Sequence, residues 1–208
     1  MRQIKTVLLL MGLILFAGAA KAETIRLVAL GDSLSAGYEL APGESFPAQL
    51  EAALKASGRD VAVANAGVSG DTASGGLSRL DWAIPEGTQG VILELGANDA
   101  LRGVDPSITE RALDQILAAL AERDIPVLLA GMIAPPNMGP DYAEAFNPIY
   151  ARLAAKHDAI LYPFFLEGIA ADDALNLPDG MHPNAEGVAM IVKNIMPKVE
   201  ALLARISK

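Results

Sequence analysis

The sequence predicts one three-layer α/β domain around a central, mostly parallel five-stranded sheet. Apolar runs of strand length alternate with amphipathic stretches of helix length, and no internal repeat, low-complexity run or linker divides the 208-residue chain. The strands read as almost unbroken apolar segments because a parallel strand covered on both faces has no polar side to show.

The first strand is "TIRLVAL", starting at Thr24. "SFPAQLEAALKASG" follows as a helix, with Phe46, Leu50 and Leu54 four apart on one face, Ser45 as its cap and Gly58 as its stop. "VAVANAG" is the second strand and "GVILELG" the third, whose one charged residue is Glu94. "PVLLAGM" after Pro126 is the fourth strand. Between the third and fourth lies the clearest helix, Ser107 to about Arg123, with a Ser107-x-x-Glu110 capping box and a stripe of Ile108, Leu113, Ile116, Leu117 and Leu120. Phe146, Ile149, Tyr150 and Leu153 mark another helix, "AILYPF" is the fifth strand, and Val188 to Ile206 form the closing helix.

Residues 1–22 read as a secretory signal peptide rather than part of the fold, leaving a domain at 23–208. Arg2 and Lys5 precede an apolar run from Val7 to Ala20, and Ala20-Lys21-Ala22 places small residues where a signal peptidase reads. The run has 14 residues, whereas a membrane-spanning helix needs about 20, so cleavage is expected and a lasting anchor is not. The chain has no cysteine, which excludes disulfides, thiolate metal sites and lipidation of an N-terminal Cys. Without the three leader cations, 13 basic residues face 25 acidic ones, a net charge of −12. Such a surface repels phosphate backbones and anionic membranes, so nucleic acid is not an expected partner.

In an open α/β sheet, ligands bind beyond the carboxyl ends of the strands. The chain places Gly31-Asp32-Ser33 after its first strand, "NAGVSGDT" after its second and Gly96-Ala97-Asn98-Asp99 after its third. "LPDGMHPNAEG", with Asp179 and His182, precedes the last helix. Taken alone, Ser33 could be a nucleophile, a phosphate-binding hydroxyl or a helix cap. The full set matches acyl transfer to serine, which needs a base for the hydroxyl and a carboxylate to orient that base. Of the two histidines, His157 lies near a helix end and reads as a surface residue, so His182 is the candidate base and Asp179, three residues earlier, its partner. Gly70 can offer an unobstructed backbone N–H, Asn98 a side-chain N–H and Ser33 its own N–H to an oxyanion.

Other chemistries fail on particulars. A G-x-S-x-G elbow needs glycine where Ser35 stands, and neither a P-loop nor a dinucleotide G-x-G-x-x-G is present. Asp32, Asp71 and Asp99 on separate loops form a weak metal-ligand set, and Ser69 is a rival nucleophile with nothing placing it beside a base.

"GDSLSAGY", "AGVSGDT", "LELGANDALRG" and "DGMHPN" resemble, in order, the four blocks of the SGNH (GDSL-type) hydrolases. "GLSRL", "EAFNPIY" and "LYPFFLE" extend the similarity to that family's bacterial periplasmic acyl-CoA thioesterase I/lysophospholipase L1 (arylesterase) group. The resemblance runs from about Ile25 to Gly187. It implies a flavodoxin-like fold, a Ser33–Asp179–His182 triad, and an oxyanion hole from the Ser33 and Gly70 amides plus the Asn98 side chain. It further implies a secreted or periplasmic hydrolase of small-molecule acyl esters and thioesters, metal-free and without a cofactor, with a monomer as the default oligomeric state. Met132, Ile133 and Met138 suit an apolar acyl groove. A carbohydrate O-acetylesterase, or a non-catalytic fatty-acid or glycan-binding module, are the alternatives on the same scaffold.

Overall fold

The computed structural model describes residues 24–206; the expected signal segment lies outside the described residues. Five strands, β1 (Ile25–Gly31), β2 (Val61–Gly67), β3 (Gly90–Glu94), β4 (Val127–Ala130) and β5 (Ile160–Tyr162), form one sheet in the order β2-β1-β3-β4-β5. All four pairings are parallel, so the sheet is wholly rather than mostly parallel. Every residue of β3 and β4 is buried, as the apolar runs require.

Register matters most for the site. Gly31 lies opposite both Gly67 and Glu94, Glu94 opposite Ala130, and Ala130 opposite Tyr162. The strands therefore end level, and their loops open onto one edge. The chain leaves β1 toward β2 on one side and returns to β3 on the other, so the loops after β1 and β3 diverge and leave a crevice between them.

Helix α2 (Phe46–Ala56) and the closing helix cover one face of the sheet; the other is covered by the helix after β3 and those that pack on it. Phe46 is fully buried and meets Phe165 edge-on, with centroids 5.0 Å apart. Ser45 stands at the N-cap of α2 without a side-chain bond, Pro47 follows in the first turn, and the helix ends before Gly58 at φ +84°.

Four short helices interrupt the loops the sequence left unassigned: α1 (Ser33–Ala36), α3 (Ala73–Ser78), α4 (Leu80–Ala83) and α5 (Ala97–Leu101). They are too short to carry a periodic apolar signal. The long helix α6 spans Pro106–Glu122. Its cap is Asp105, whose carboxylate accepts the Ser107 N–H, so the expected Ser107/Glu110 capping box does not form. Glu110 instead pairs with Arg152, at 2.8 Å. The stripe holds at Leu113, Ile116, Leu117 and Leu120, but Ile108 in the first turn is 41% exposed.

The single helix expected around Phe146–Leu153 is two, α7 (Pro140–Phe146) and α8 (Ile149–Lys156). Pro148 has no N–H to continue the ladder and its ring clashes with the preceding turn. Helix α9 runs Ala185–Ile206, starting three residues before Val188. The Asn184 carboxamide accepts the N–H groups of Glu186 and Gly187 and so caps it.

Candidate active site

Ser33 opens α1 directly after β1 and is 8% exposed. Asp32 caps that helix by accepting the Leu34 N–H at 2.9 Å. The Ser33 N–H, in the first turn, has no acceptor within the helix. His182 reaches the serine from the far end of the chain, with Nε2 2.9 Å from Ser33 Oγ. Its Nδ1 lies 2.6 Å from Asp179 Oδ2, while Asp179 Oδ1 accepts the backbone N–H groups of Met181 and His182. Those two backbone donors hold the Asp179 carboxyl at about 2, below the usual range. An ionised carboxylate only accepts, so the proton sits on Nδ1 and the lone pair at Nε2 faces the serine hydroxyl.

The turn that presents His182 is fixed from both sides. Leu177 donates its N–H to the His182 carbonyl at 2.7 Å, and Asn176 bridges to Pro183. The buried Asn176 amide donates to the carbonyls of Ile169 and Asp172. Tyr38 lies against the outer side of the imidazole, with ring centroids 4.5 Å apart.

Gly70 follows β2 at φ +85°, where a side chain would be strained, and no described acceptor takes its N–H. Asn98 in α5 donates one amide hydrogen to Asp32 Oδ2 at 2.9 Å, which leaves the second for a ligand. The structure thus brings Ser33, Asp179 and His182 into hydrogen-bonded sequence and ties Asn98 to the residue preceding Ser33. Ser69 is exposed on the β2 loop, and His182 Nε2 bonds Ser33 instead. His157 caps the end of α8 and bonds Asp114 at 2.6 Å, away from this edge.

The three aspartates weighed as metal ligands have separate tasks. Asp71 pairs with the buried Arg79 at 2.5 Å; Asp99 accepts from the Ala73 N–H and the Thr109 hydroxyl; Asp32 serves Leu34 and Asn98. Arg79 also donates to the Gly31 carbonyl, so it ties the Gly70 loop to the end of β1.

Other contributors were not evident from the sequence pattern. Glu94, the one charge in the β3 run, is fully buried beneath the site and accepts from Ser35 Oγ at 2.7 Å and from the Asp32 N–H. Burial raises the Asp32 carboxyl to about 6 and pushes Glu94 well above the usual carboxylate range. Asp32 keeps two good donors while Glu94 Oε1 has no partner, so the charge belongs on Asp32 and the proton on Glu94. Behind them, Gly96 at φ +115° approaches Tyr150, whose hydroxyl donates to the Leu95 carbonyl at 2.9 Å. Tyr142 donates to the Val104 carbonyl, so a half-buried tyrosine of α7 and a buried one of α8 hold the loop carrying Asn98. Met132, expected in a groove, is turned into the core, while Ile133 is 49% exposed.

A wholly parallel three-layer domain that gathers a serine, a histidine and an asparagine at its strand ends defines a hydrolase of the SGNH class. The GDSL-like lipase/acylhydrolase family matches residues 29–190, and the chain belongs to it. It is 39% identical to the esterase TesA of Pseudomonas aeruginosa over 198 residues, covering 93% of this chain and 96% of that protein. With the thioesterase 1/protease 1/lysophospholipase L1 of Escherichia coli it shares 37% identity over 186 residues, 89% of this chain and 87% of the other. The crystal structure of AlinE4, an SGNH-hydrolase family esterase, is similar with a TM-score of 0.74 and 45% identity, over 88% of this chain and 99% of that one. The chain is accordingly an SGNH hydrolase of the esterase type, as the four sequence blocks imply.

Proposed function

We propose that the protein is a serine hydrolase that cleaves carboxylic esters and thioesters through an acyl-serine intermediate. The observation that carries this reading is the 2.9 Å approach of His182 Nε2 to Ser33 Oγ, with Asp179 behind the ring at 2.6 Å. Ser33 Oγ attacks the acyl carbonyl as Nε2 takes its proton. The charge that develops on the carbonyl oxygen meets the N–H groups of Ser33 and Gly70 and the free amide hydrogen of Asn98. As the tetrahedral adduct collapses, His182 returns the proton to the departing alcohol or thiol. Water, activated by the same imidazole, then releases the acid and restores Ser33. Asp179 stabilises the imidazolium without taking a proton.

An acyl chain suits the mouth of this site better than a sugar. Tyr38, Val68, Leu101, Ile133 and Met181 are each 40% or more exposed, and all stand on the loops or short helices at the strand ends. Residues 1–22 serve as a cleaved leader and residues 23–208 act as a monomer in the periplasm or outside the cell, a reading supported by the leader's composition.

The test is hydrolysis of p-nitrophenyl esters from acetate to palmitate by residues 23–208, beside Ser33→Ala. The expected result is a rate that Ser33→Ala abolishes with its unfolding midpoint unchanged, and a diethylphosphoryl adduct on the Ser33 peptide after organophosphate treatment. An intact rate in Ser33→Ala overturns the assignment, and a preference confined to acetate favours the carbohydrate deacetylase.

A further inference from the structure

We infer that Arg102 selects substrates carrying an anionic group, carboxylate or phosphate, close to the scissile ester. This inference rests on the hydrolase reading above and assigns it a substrate class.

The loops beyond the strand ends, residues 32–45, 68–80, 95–105, 131–148 and 163–184, contain two basic residues, Arg79 and Arg102. Arg79 is buried against Asp71, which leaves Arg102 as the one exposed Lys or Arg on this edge. The same loops are rich in carboxylates, and the whole chain carries a net charge of −9. Exposed basic residues elsewhere, such as Arg59, Arg152 and Lys156, pair with acidic side chains. Among the described residues, no carboxylate lies within ion-pair distance of Arg102.

Its position is fixed. Arg102 closes α5, and Nη2 donates to the Gly70 carbonyl at 2.8 Å and lies 3.5 Å from Asn98 Oδ1. The guanidinium therefore bridges the two loops whose N–H groups face the ester carbonyl. Nη1 and Nε have no hydrogen-bond partner among the described residues, so their N–H groups and the guanidinium charge remain open to an oxygen of an anion. Leu101 beside it in the chain, Val68 two residues before Gly70 and Ile133 on the loop after β4 are exposed and apolar. The face as a whole suits an anionic amphiphile, with its acyl part on the apolar surface and its charged part at Arg102.

A guanidinium that only stapled the Gly70 loop would affect all esters alike, so the decisive quantity is a ratio. Residues 23–208 and the variants Arg102→Gln and Arg102→Lys are assayed on p-nitrophenyl butyrate and on its ring-carboxylated counterpart, 3-carboxy-4-nitrophenyl butyrate. The butyrate ester of 4-hydroxyphenyl phosphate is the third substrate, followed by pH-stat. The expected result is that kcat/KM for the charged esters relative to the neutral one falls roughly 3- to 10-fold in Arg102→Gln. Arg102→Lys retains most of that ratio, and in the wild type raising NaCl to about 0.5 M lowers it. A larger fall for the phosphate arm identifies phosphate as the preferred anion, and a larger fall for the carboxylate arm identifies a carboxylate. An unchanged ratio in Arg102→Gln, whatever happens to the absolute rates, overturns the inference. Absence of hydrolysis of all three esters by the wild type instead brings down the hydrolase reading beneath it.

Discussion

The Asp32 carboxylate accepts the Asn98 amide at 2.9 Å, joining the residue before the serine to a side chain 66 positions further along the chain. One hydrogen bond thus sets the spacing between the loop of the proposed nucleophile, Ser33, and the proposed oxyanion donor, Asn98. Asp32→Asn keeps the size but turns one acceptor into a donor, so either Asn98 or the Leu34 N–H loses its partner. We expect kcat to fall roughly 10- to 100-fold with the fold intact. Steady-state kinetics beside circular dichroism checks this, and a wild-type kcat would show that Asn98 is oriented by other means.

Asp179→Asn retains an oxygen for the Met181 and His182 N–H groups but presents an amide to Nδ1. The imidazole then adopts the other tautomer, with its proton toward Ser33. A loss of about 1000- to 10,000-fold in kcat is expected at neutral pH. Because the folded carboxyl lies at about 2 against an ordinary 3.8, its stabilising contribution is complete above about pH 4 and is lost as pH falls toward 2. Wild type should therefore exceed the variant in stability by a steady margin above about pH 4, and the two should converge as pH falls toward 2.

The buried carboxyls Asp32 and Glu94 have the opposite sign. Folding raises both, so the native state binds protons that the unfolded chain has released, and stability declines as pH rises from about 4 through 6 and beyond. For Asp32, a rise from 3.8 to about 6 corresponds to about 3 kcal/mol. Glu94→Gln mimics the protonated acid. The variant should match wild type in urea unfolding at pH 5 and exceed it at pH 8; the same stability difference at both pH values would contradict a neutral Glu94.

Arg79→Met removes the partner of a largely buried Asp71 and the donor to the Gly31 carbonyl. Breaking such a pair from one side costs about 3 to 5 kcal/mol, readable as a lower urea midpoint at an unchanged slope. Arg79→Lys restores charge without the fork, so it should recover only part of the loss.

Gly96→Ala places a methyl 2.1 Å from the Tyr150 hydroxyl at a φ of +115°. A destabilisation of about 2 to 4 kcal/mol is expected from overpacking and backbone strain together. Adding Tyr150→Phe removes the clashing oxygen but abandons its bond to the Leu95 carbonyl, so the pair should be less destabilised than the sum of the two single changes.

Patterns that depend on near neighbours were readable from the sequence. Parallel strands covered on both faces are mainly apolar, so all five appear as runs despite Arg26, Asn65 and Glu94 within them, and the turn residues after them marked the edge that holds Ser33, Gly70, Asn98, Asp179 and His182. The start of α6 was misread because Asp105 and Ser107 are both good caps two residues apart; the outcome was decided by Arg152, which draws Glu110 away from the helix end. Pro148 carried a local signal of the break between α7 and α8, outweighed by apolar spacing across it. The supporting shell had no local signature at all. Glu94 looked like an interruption in a strand, since its partner Ser35 is 59 residues away, and nothing in "GLSRL" says that Arg79 points inward to Gly31.

Ser33 and the histidine that bonds it are 149 residues apart. During synthesis the serine's strand emerges early, but β1 cannot settle between its neighbours until β3 has arrived, and the imidazole comes only with the final fifth of the chain. A polypeptide cut short before residue 182 therefore carries the Ser33 hydroxyl without the imidazole that bonds it. The order of residues along the chain thus leaves the Ser33–His182 hydrogen bond among the last contacts the polypeptide can complete.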